Sequence, residues 1–256
     1  MDFFVKPGSV VREIWGKGDT ILFIFAGAAA EFALNKAVDW LYFTGKLPSD
    51  PLGRLFSTVS YARSIVFSEK VVAIQAIETI SAIHAKVEGK RGKTIPDWAY
   101  RDVLFMLIDY SIRSFELLER KLSLEEKQEV FDVFFRVGEA MDISGLPKEY
   151  HQWEVMREEH LHQNLEYSRF TRDLFLQYRK NLGFSRYLIL IHTQRLVLPQ
   201  PVKSLLGYSR SSLLFPLIPV FKWSRIVKLD WLLKSIVLPN KYKGEIRKLD
   251  IDRIPV

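Results

Sequence analysis

The stretch from Asp50 to Gly89, DPLGRLFSTVSYARSIVFSEKVVAIQAIETISAIHAKVEG, decides the fold. Its pattern predicts two helices that face one another across a short turn near Phe67–Glu69. On the first, Arg54 and Thr58 are four residues apart and project from one face, with Tyr61 a turn further on. On the second, Ile74, Ile77, Ser81 and His84 follow a three-and-four spacing that sets an imidazole at the end of an apolar stripe. Spacing leaves two readings of that imidazole open: a satisfied core histidine, which is the commoner outcome, or a ligand to a bound group.

Composition narrows the chemistry. The 256 residues are 48% apolar and 13% aromatic, enough for a large core and incompatible with disorder. There is no cysteine, which removes disulfides, thiolate nucleophiles, iron–sulfur clusters, thiolate-ligated haem and covalent haem attachment. A histidine-ligated, non-covalent haem stays open. The chain also lacks a G-x-S-x-G elbow and a P-loop, so hydrolase and nucleotide chemistry have no local signature.

Residues 201–256 carry eleven Lys/Arg against four Asp/Glu, an excess equal to the net charge of +7 of the whole chain. No helix-turn-helix, zinc finger or RNA-binding pattern accompanies that charge, so nucleic acid is not an expected partner. An anionic membrane surface suits it better, and a solvated bundle helix suits it equally. Lys222, Arg225, Lys228 and Lys234 alternate there with apolar clusters. The apolar run Ile21–Ala30 stops at Glu31, too short to span a bilayer, and no signal-peptide core precedes it. The expected location is cytoplasmic, peripheral to a membrane through the basic segment.

Further helix signals fall in order. Ser9 caps a first helix, and Asp19–Thr20 starts ILFIFAGAAAEFALNKAVDWLYF. Gly27 to Ala30 make one narrow section, suited to close helix packing or to a flat prosthetic group. Gly89, with the stretch GKRGKTIP that it opens, is expected to close the His84 helix. Pro96–Asp97 opens a helix apolar nearly all round, hence central, whose Asp109 and Arg113 are spaced to pair. Ser123 with Glu126 forms a capping box for the next helix, which Gly145 and Pro147 are expected to end. Helices over 150–167 and 170–181 follow, the latter stopped by Gly183. The fold class is all-α: a single globular bundle of eight or more helices.

The Asp50–Gly89 run resembles the haem-dependent oxygenase family of MpaB-type enzymes and rubber oxygenases (latex-clearing proteins). That family carries DP-x-x-RL-x-x-T on one helix and H-x-x-V-x-G on the next; here these are Asp50–Pro51, Arg54–Leu55 and Thr58, then His84, Val87 and Gly89. The segment LSLEEKQEVFDVFFRVGEAMDISGLP has the character of the family's next block, and the resemblance covers residues 8–165. It implies a bundle enclosing a haem pocket, with residues 1–200 as the haem-binding domain and 201–256 as a basic amphipathic segment on that domain or at a membrane surface. It implies haem b as cofactor, with His84 as axial iron ligand and Arg54 and Thr58 in the catalytic machinery. Phe25, Tyr61 and Ser81 join His84, Arg54 and Thr58 as cofactor-binding candidates. The implied activity is dioxygen-dependent attack, including C=C cleavage, on an apolar isoprenoid- or lipid-like substrate.

The residues themselves leave structural alternatives: an interhelical salt bridge for Arg54 and back-bonding to the backbone for Thr58. Two positions depart from the family pattern. Ser57 stands where rubber oxygenases have a lysine able to approach iron, and Asp102–Val103 and Asp109–Tyr110 replace a D-P-x-L…W-V-H-A segment. Competing readings are a haem- or lipid-binding carrier or sensor, a cofactor-free bundle, and a di-metal carboxylate oxidase. The last needs two E-x-x-H motifs, and the chain offers one, Glu159–His162, with Glu78, Glu116, Asp109 and His160 as possible additions. Arg157, Glu158, Glu159, His160 and His162 read mainly as a charged helix surface, or in part as a cluster on the propionate side of a haem. Oligomeric state has no signature.

Overall fold

Side-chain caps from Ser9, Asp50, Ser123 and Ser168 set four of the helix starts. In the computed structural model, which describes residues 2–45, 49–209 and 211–226, the order is α1 (Val10–Trp15), α2 (Gly18–Leu34), α3 (Asp39–Phe43), α4 (Pro51–Phe67), α5 (Lys70–Arg91), α6 (Asp97–Leu118), α7 (Leu124–Ala140), α8 (Tyr150–Gln163), α9 (Arg169–Leu182), α10 (Phe184–Val197), α11 (Gln200–Leu205) and α12 (Leu217–Ile226). Among the described residues β pairing is limited to two isolated bridges, Phe3 with Glu69 and Asn35 with Leu165. The fold is an all-α bundle. Ser9 accepts from the Val11 N–H at 3.1 Å, and Asp50 accepts from Gly53 at 3.0 Å with Pro51 at the first helical position. The Ser123–Glu126 capping box is formed in both directions.

Four helix ends differ from expectation. Helix α8 stops at Gln163, short of 167, where the chain leaves the helix and Leu165 bridges to Asn35. The three others have local physical reasons of their own. The run after Asp19 is broken at Asn35, whose side chain accepts from Ala37 N–H and donates to Asp102, while Leu34 and Lys36 exchange backbone bonds with Glu166 and Asn164. Tertiary pairing there replaces the helical ladder, and α3 restarts at Asp39. Helix α5 passes through Gly89 and stops at Gly92, which adopts φ 66°. A helical glycine costs about 1 kcal/mol relative to alanine, whereas Gly92 lets its own N–H and that of Lys93 both bond the Glu88 carbonyl. Helix α7 ends at Ala140, ahead of Gly145, because Asp142 turns to φ 56° and Ile143 N–H reaches back to Gly138.

Helix α6 is central, as its all-round apolarity predicts. Leu104, Phe105, Met106, Ile108, Tyr110, Ile112, Phe115 and Leu118 are all buried, and α2, α7, α8 and α10 pack on it. Helices α4 and α5 pair antiparallel beside this core. Helix α11 seats the fully buried Val202 against α2 and α8, so the chain just past residue 200 packs on the same body. In the basic C-terminal segment the Lys222 ammonium donates to the Glu119 carbonyl at 3.3 Å. Lys228 and Lys234 lie outside the described residues.

The narrow section of α2 serves close helix packing at one position and borders open space at others. Gly27 meets the face of Tyr110 on α6, so that a Cβ built there would lie 2.5 Å from two ring carbons. Ala26, Ala28 and Ala29 instead line an internal cavity. Gly27→Ala is therefore expected to cost about 1–3 kcal/mol of stability, since neither α2 nor the buried Tyr110 ring has room to move; urea unfolding of the variant beside the native protein measures it.

Candidate functional site

Helices α2, α4, α5, α6, α10 and α12 enclose a cavity of about 1210 Å³, at or above the ~300–1,000 Å³ usual for small-molecule sites. The walls are mainly apolar. From α4 come Arg54, Ser57, Thr58, Tyr61 and Ala62, one helical stripe; from α5 come Ile80, Ile83, His84 and Val87, a second stripe facing the first.

His84 is half-buried in that wall, and its Nδ1 is buried without a hydrogen-bond partner. The ring edge meets Tyr100 at 5.2 Å between centroids. Burial pulls the His84 pKa below its ordinary value, the nearby Arg54 cation adds to that, and Glu88 opposes it. The imidazole is accordingly neutral at physiological pH, with a lone pair available. Arg54 also lines the cavity, and its guanidinium makes no ion pair among the described residues; the interhelical salt bridge is not formed. Thr58 takes the back-bonded form, donating to the Arg54 carbonyl at 3.1 Å while still facing the cavity. Tyr61 and Phe25 line it as well, Phe25 edge-on to Trp15 at 6.2 Å.

Ser81 is not part of the wall. It shares a row with Ala73 and Ile77, which α5 turns into the core, whereas Ile80 and His84 face the cavity from the adjacent row. The stripe drawn through Ile74, Ile77, Ser81 and His84 spans two rows, and sequence spacing cannot separate neighbours on one helix that are a small rotation apart.

A second polar cluster lies on the far side of α2. Arg157 of α8 is clamped by Glu31 of α2 at 2.5 and 2.6 Å and by Asp109 of α6 at 3.0 and 3.2 Å. Tyr110 O–H donates to Glu31 at 2.7 Å, and Arg113 closes the Asp109 side at 2.6 Å. His160 Nε2 is 3.2 Å from Glu31, and its Nδ1 is 2.6 Å from Asp102, a close contact but a poorly aligned one. Asn164 and Asn35 both donate to Asp102. Glu31 is 0%, Arg157 4% and His160 3% exposed. This corrects the surface reading of α8: Arg157 and His160 face inward, while Glu158, Glu159 and His162 are exposed.

Burial drives the Glu31 pKa up, but Arg157 overrides it and holds the carboxylate down to about 2. Burial pulls His160 down, and the contacts to Asp102 and Glu31 reverse that, leaving it above its ordinary value. With carboxylates at both ring nitrogens, the imidazolium is the favoured form. A di-metal site is not assembled, since no group of three or more His, Asp or Glu among the described residues has metal-binding geometry. Glu78 is exposed, and Glu116 is engaged by Lys121, Lys127 and the Leu122 N–H.

A family model described as ER-bound oxygenase mpaB/B′/rubber oxygenase, catalytic domain, matches residues 15–223. The chain belongs to that oxygenase family. The match runs well past residue 165, where the sequence resemblance fades, and takes in α9 to α11 and most of α12. No curated protein and no solved structure matches the chain. In this oxygenase domain the α4 and α5 stripes were readable from motif spacing. The Glu31–Arg157 pair was not: the partners are 126 residues apart, and the only trace was one acidic residue closing an apolar run.

Two outcomes follow from the buried network. Arg157→Met removes the cation that Glu31 and Asp109 share, leaving only His160 beside Glu31 and Arg113 beside Asp109, and is expected to destabilise by about 3 kcal/mol in urea unfolding. The folded pKa of His160 lies above its unfolded value of 6.5, so its stabilisation is present in full below pH 6.5 and is lost as pH rises through the folded value. Glu31 behaves oppositely: its contribution is present above 4.5 and is lost as pH falls toward 2. Unfolding free energies measured from about pH 5 to about pH 9 are expected to decline on the alkaline side, and His160→Asn to flatten that decline.

Proposed function

We propose that this oxygenase-family domain is haem b-dependent, with His84 as axial iron ligand, and acts on an apolar isoprenoid- or lipid-like substrate by dioxygen-dependent oxidation, C=C cleavage included. The supporting observation is His84 itself: a neutral imidazole without a hydrogen bond, in the wall of a large apolar cavity, beside an unpaired guanidinium. An uncommitted lone pair in an apolar wall fits axial ligation, and a free cation next to it fits a haem propionate. When bound, haem would supply the dioxygen activation that no side chain of this chain can perform.

The protein's own residues have narrower tasks. His84 offers its ring nitrogen without first losing a proton, because burial and Arg54 already keep it neutral. Arg54 would hold an anionic edge of the cofactor in a planar fork. Thr58 has committed its hydroxyl proton to the Arg54 carbonyl, so toward the cavity it acts as an acceptor. Leu22, Phe25, Phe32 and Leu107 exclude water and accept an apolar chain. Ser57 lines the cavity with no amine to offer, so a lysine-type distal ligand is not supplied from that position.

Membrane-surface contact belongs to the same reading. Leu213 is 75%, Phe215 67% and Val220 58% exposed, and their neighbours Leu214, Leu217 and Phe221 line the cavity. Exposed apolar side chains at a cavity rim, followed by a basic segment, suit collection of a substrate from an anionic bilayer. Among the described residues no helix is long and apolar enough to cross a membrane.

The test is a visible absorption spectrum of protein produced with haem supply, beside His84→Ala. A Soret band that is lost in the variant, with helical content unchanged, is the expected result; a protein that stays colourless after added haemin would sink the reading. Dioxygen uptake with a polyene substrate then separates an oxygenase from a haem carrier, which consumes none.

A further inference from the structure

The cavity wall carries more positive charge than one ligand pair to a cofactor uses. Among the described residues Arg54, Lys86, Lys90 and Arg186 line it, against one carboxylate, Asp19. Asp19 is buried at the start of α2, with Oδ1 taken by the Thr20 N–H at 2.9 Å. Lys86 and Lys90 are exposed and stand one turn apart on α5, on the flank next to Ile83 and Val87. Being exposed and cavity-lining at once, they occupy its mouth.

Neither lysine forms an ion pair or a hydrogen bond among the described residues. Glu88, which lies between the two lysines in sequence, and Asp39, which pairs with the adjacent Arg91, are committed elsewhere. Glu88 accepts from the Ile95 N–H at 2.7 Å and from the Tyr100 O–H at 3.2 Å. Asp39 holds Arg91 at 2.5 Å. The negative end of the α5 dipole accounts for a cation at Lys90, in the last turn, but it does not require Lys86 to face the cavity. Apolar walls below an uncompensated pair of ammonium groups are complementary to a molecule with one charged end.

We propose that the cavity takes a long-chain amphiphile with an anionic head, a carboxylate or a phosphate, its chain in the apolar interior and its head at Lys86 and Lys90. This rests on the cavity being the substrate site proposed above, and not on His84 holding iron. The two lysines set the substrate's polarity and its direction of entry; the chain enters first, toward His84, and the head stays at the rim in contact with water.

The experiment uses the full chain, with and without haem supply, and three probes of one chain length below their micelle concentrations: oleate, oleyl phosphate and oleyl alcohol. Binding is read by tryptophan fluorescence, since Trp15 and Trp40 line the cavity. Both anions are expected to bind about tenfold tighter than the alcohol at low salt, an advantage that shrinks as salt screens it. The double variant Lys86→Gln/Lys90→Gln is expected to lose that advantage and keep the alcohol affinity, and its unchanged unfolding midpoint shows that the fold is intact. Whichever anion binds tighter names the head group. Equal binding of alcohol and anions by the native protein, or an anion advantage that survives in the double variant, overturns the proposal. Anion preference in a protein that takes up no haem would sink the oxygenase reading alone, while haem uptake without anion preference would sink this one alone.

Discussion

Three helices meet at one guanidinium. Arg157 brings α8 into register with α2 through Glu31 and with α6 through Asp109. Hydrophobic contact tolerates sliding; a bidentate pair in a low-dielectric interior does not. The arrangement is costly to assemble, since each ion must leave water, and its net contribution to stability is small beside the cost of breaking it. Its value is specificity. Tyr110 ties the same corner twice, with its ring on Gly27 and its hydroxyl on Glu31, one helical turn along α2.

The cavity depends on that corner. Helix α2 is buried on both sides: Gly27 and Glu31 face α6 and α8, and Leu22, Ala26, Ala29 and Phe32 face the open space bounded by α4 and α5. A helix held rigidly on one side can leave the other side unfilled. Ala26, Ala28 and Ala29 keep that side shallow, and the large residues opposite are on helices whose own packing keeps them apart. The bundle therefore keeps its core and its cavity at once, where a looser α2 would collapse inward.

Charge is divided between the two faces of this helix in opposite ways. On the network side every ion has a partner, and the group whose protonation is most exposed to solution pH is His160, set between Asp102 and Glu31. On the cavity side Arg54 in the wall and Lys86 and Lys90 at the mouth have no ion pair among the described residues. The first is a finished structural device; the second is a surface that waits for an anion.

The sequence by itself determined the all-α class, the helix pair with Arg54 and Thr58 on one and His84 on the other, the central position of α6, and most helix starts. These depend on residues within a few turns of one another, where periodicity and capping chemistry act directly. It also placed Asp109 beside Arg113, since that pair lies within one turn. Only the tertiary structure decided that Arg157 and His160 point inward, that Ser81 belongs to the core row and not to the cavity, that α2 breaks at Asn35, and that Gly92 in place of Gly89 ends α5. The inward polar residues and the α2 break depend on partners distant in sequence; the row of Ser81 and the end of α5 depend on small differences in rotation and turn geometry. A polar residue announces that it needs water or a partner, but its sequence neighbours do not say which.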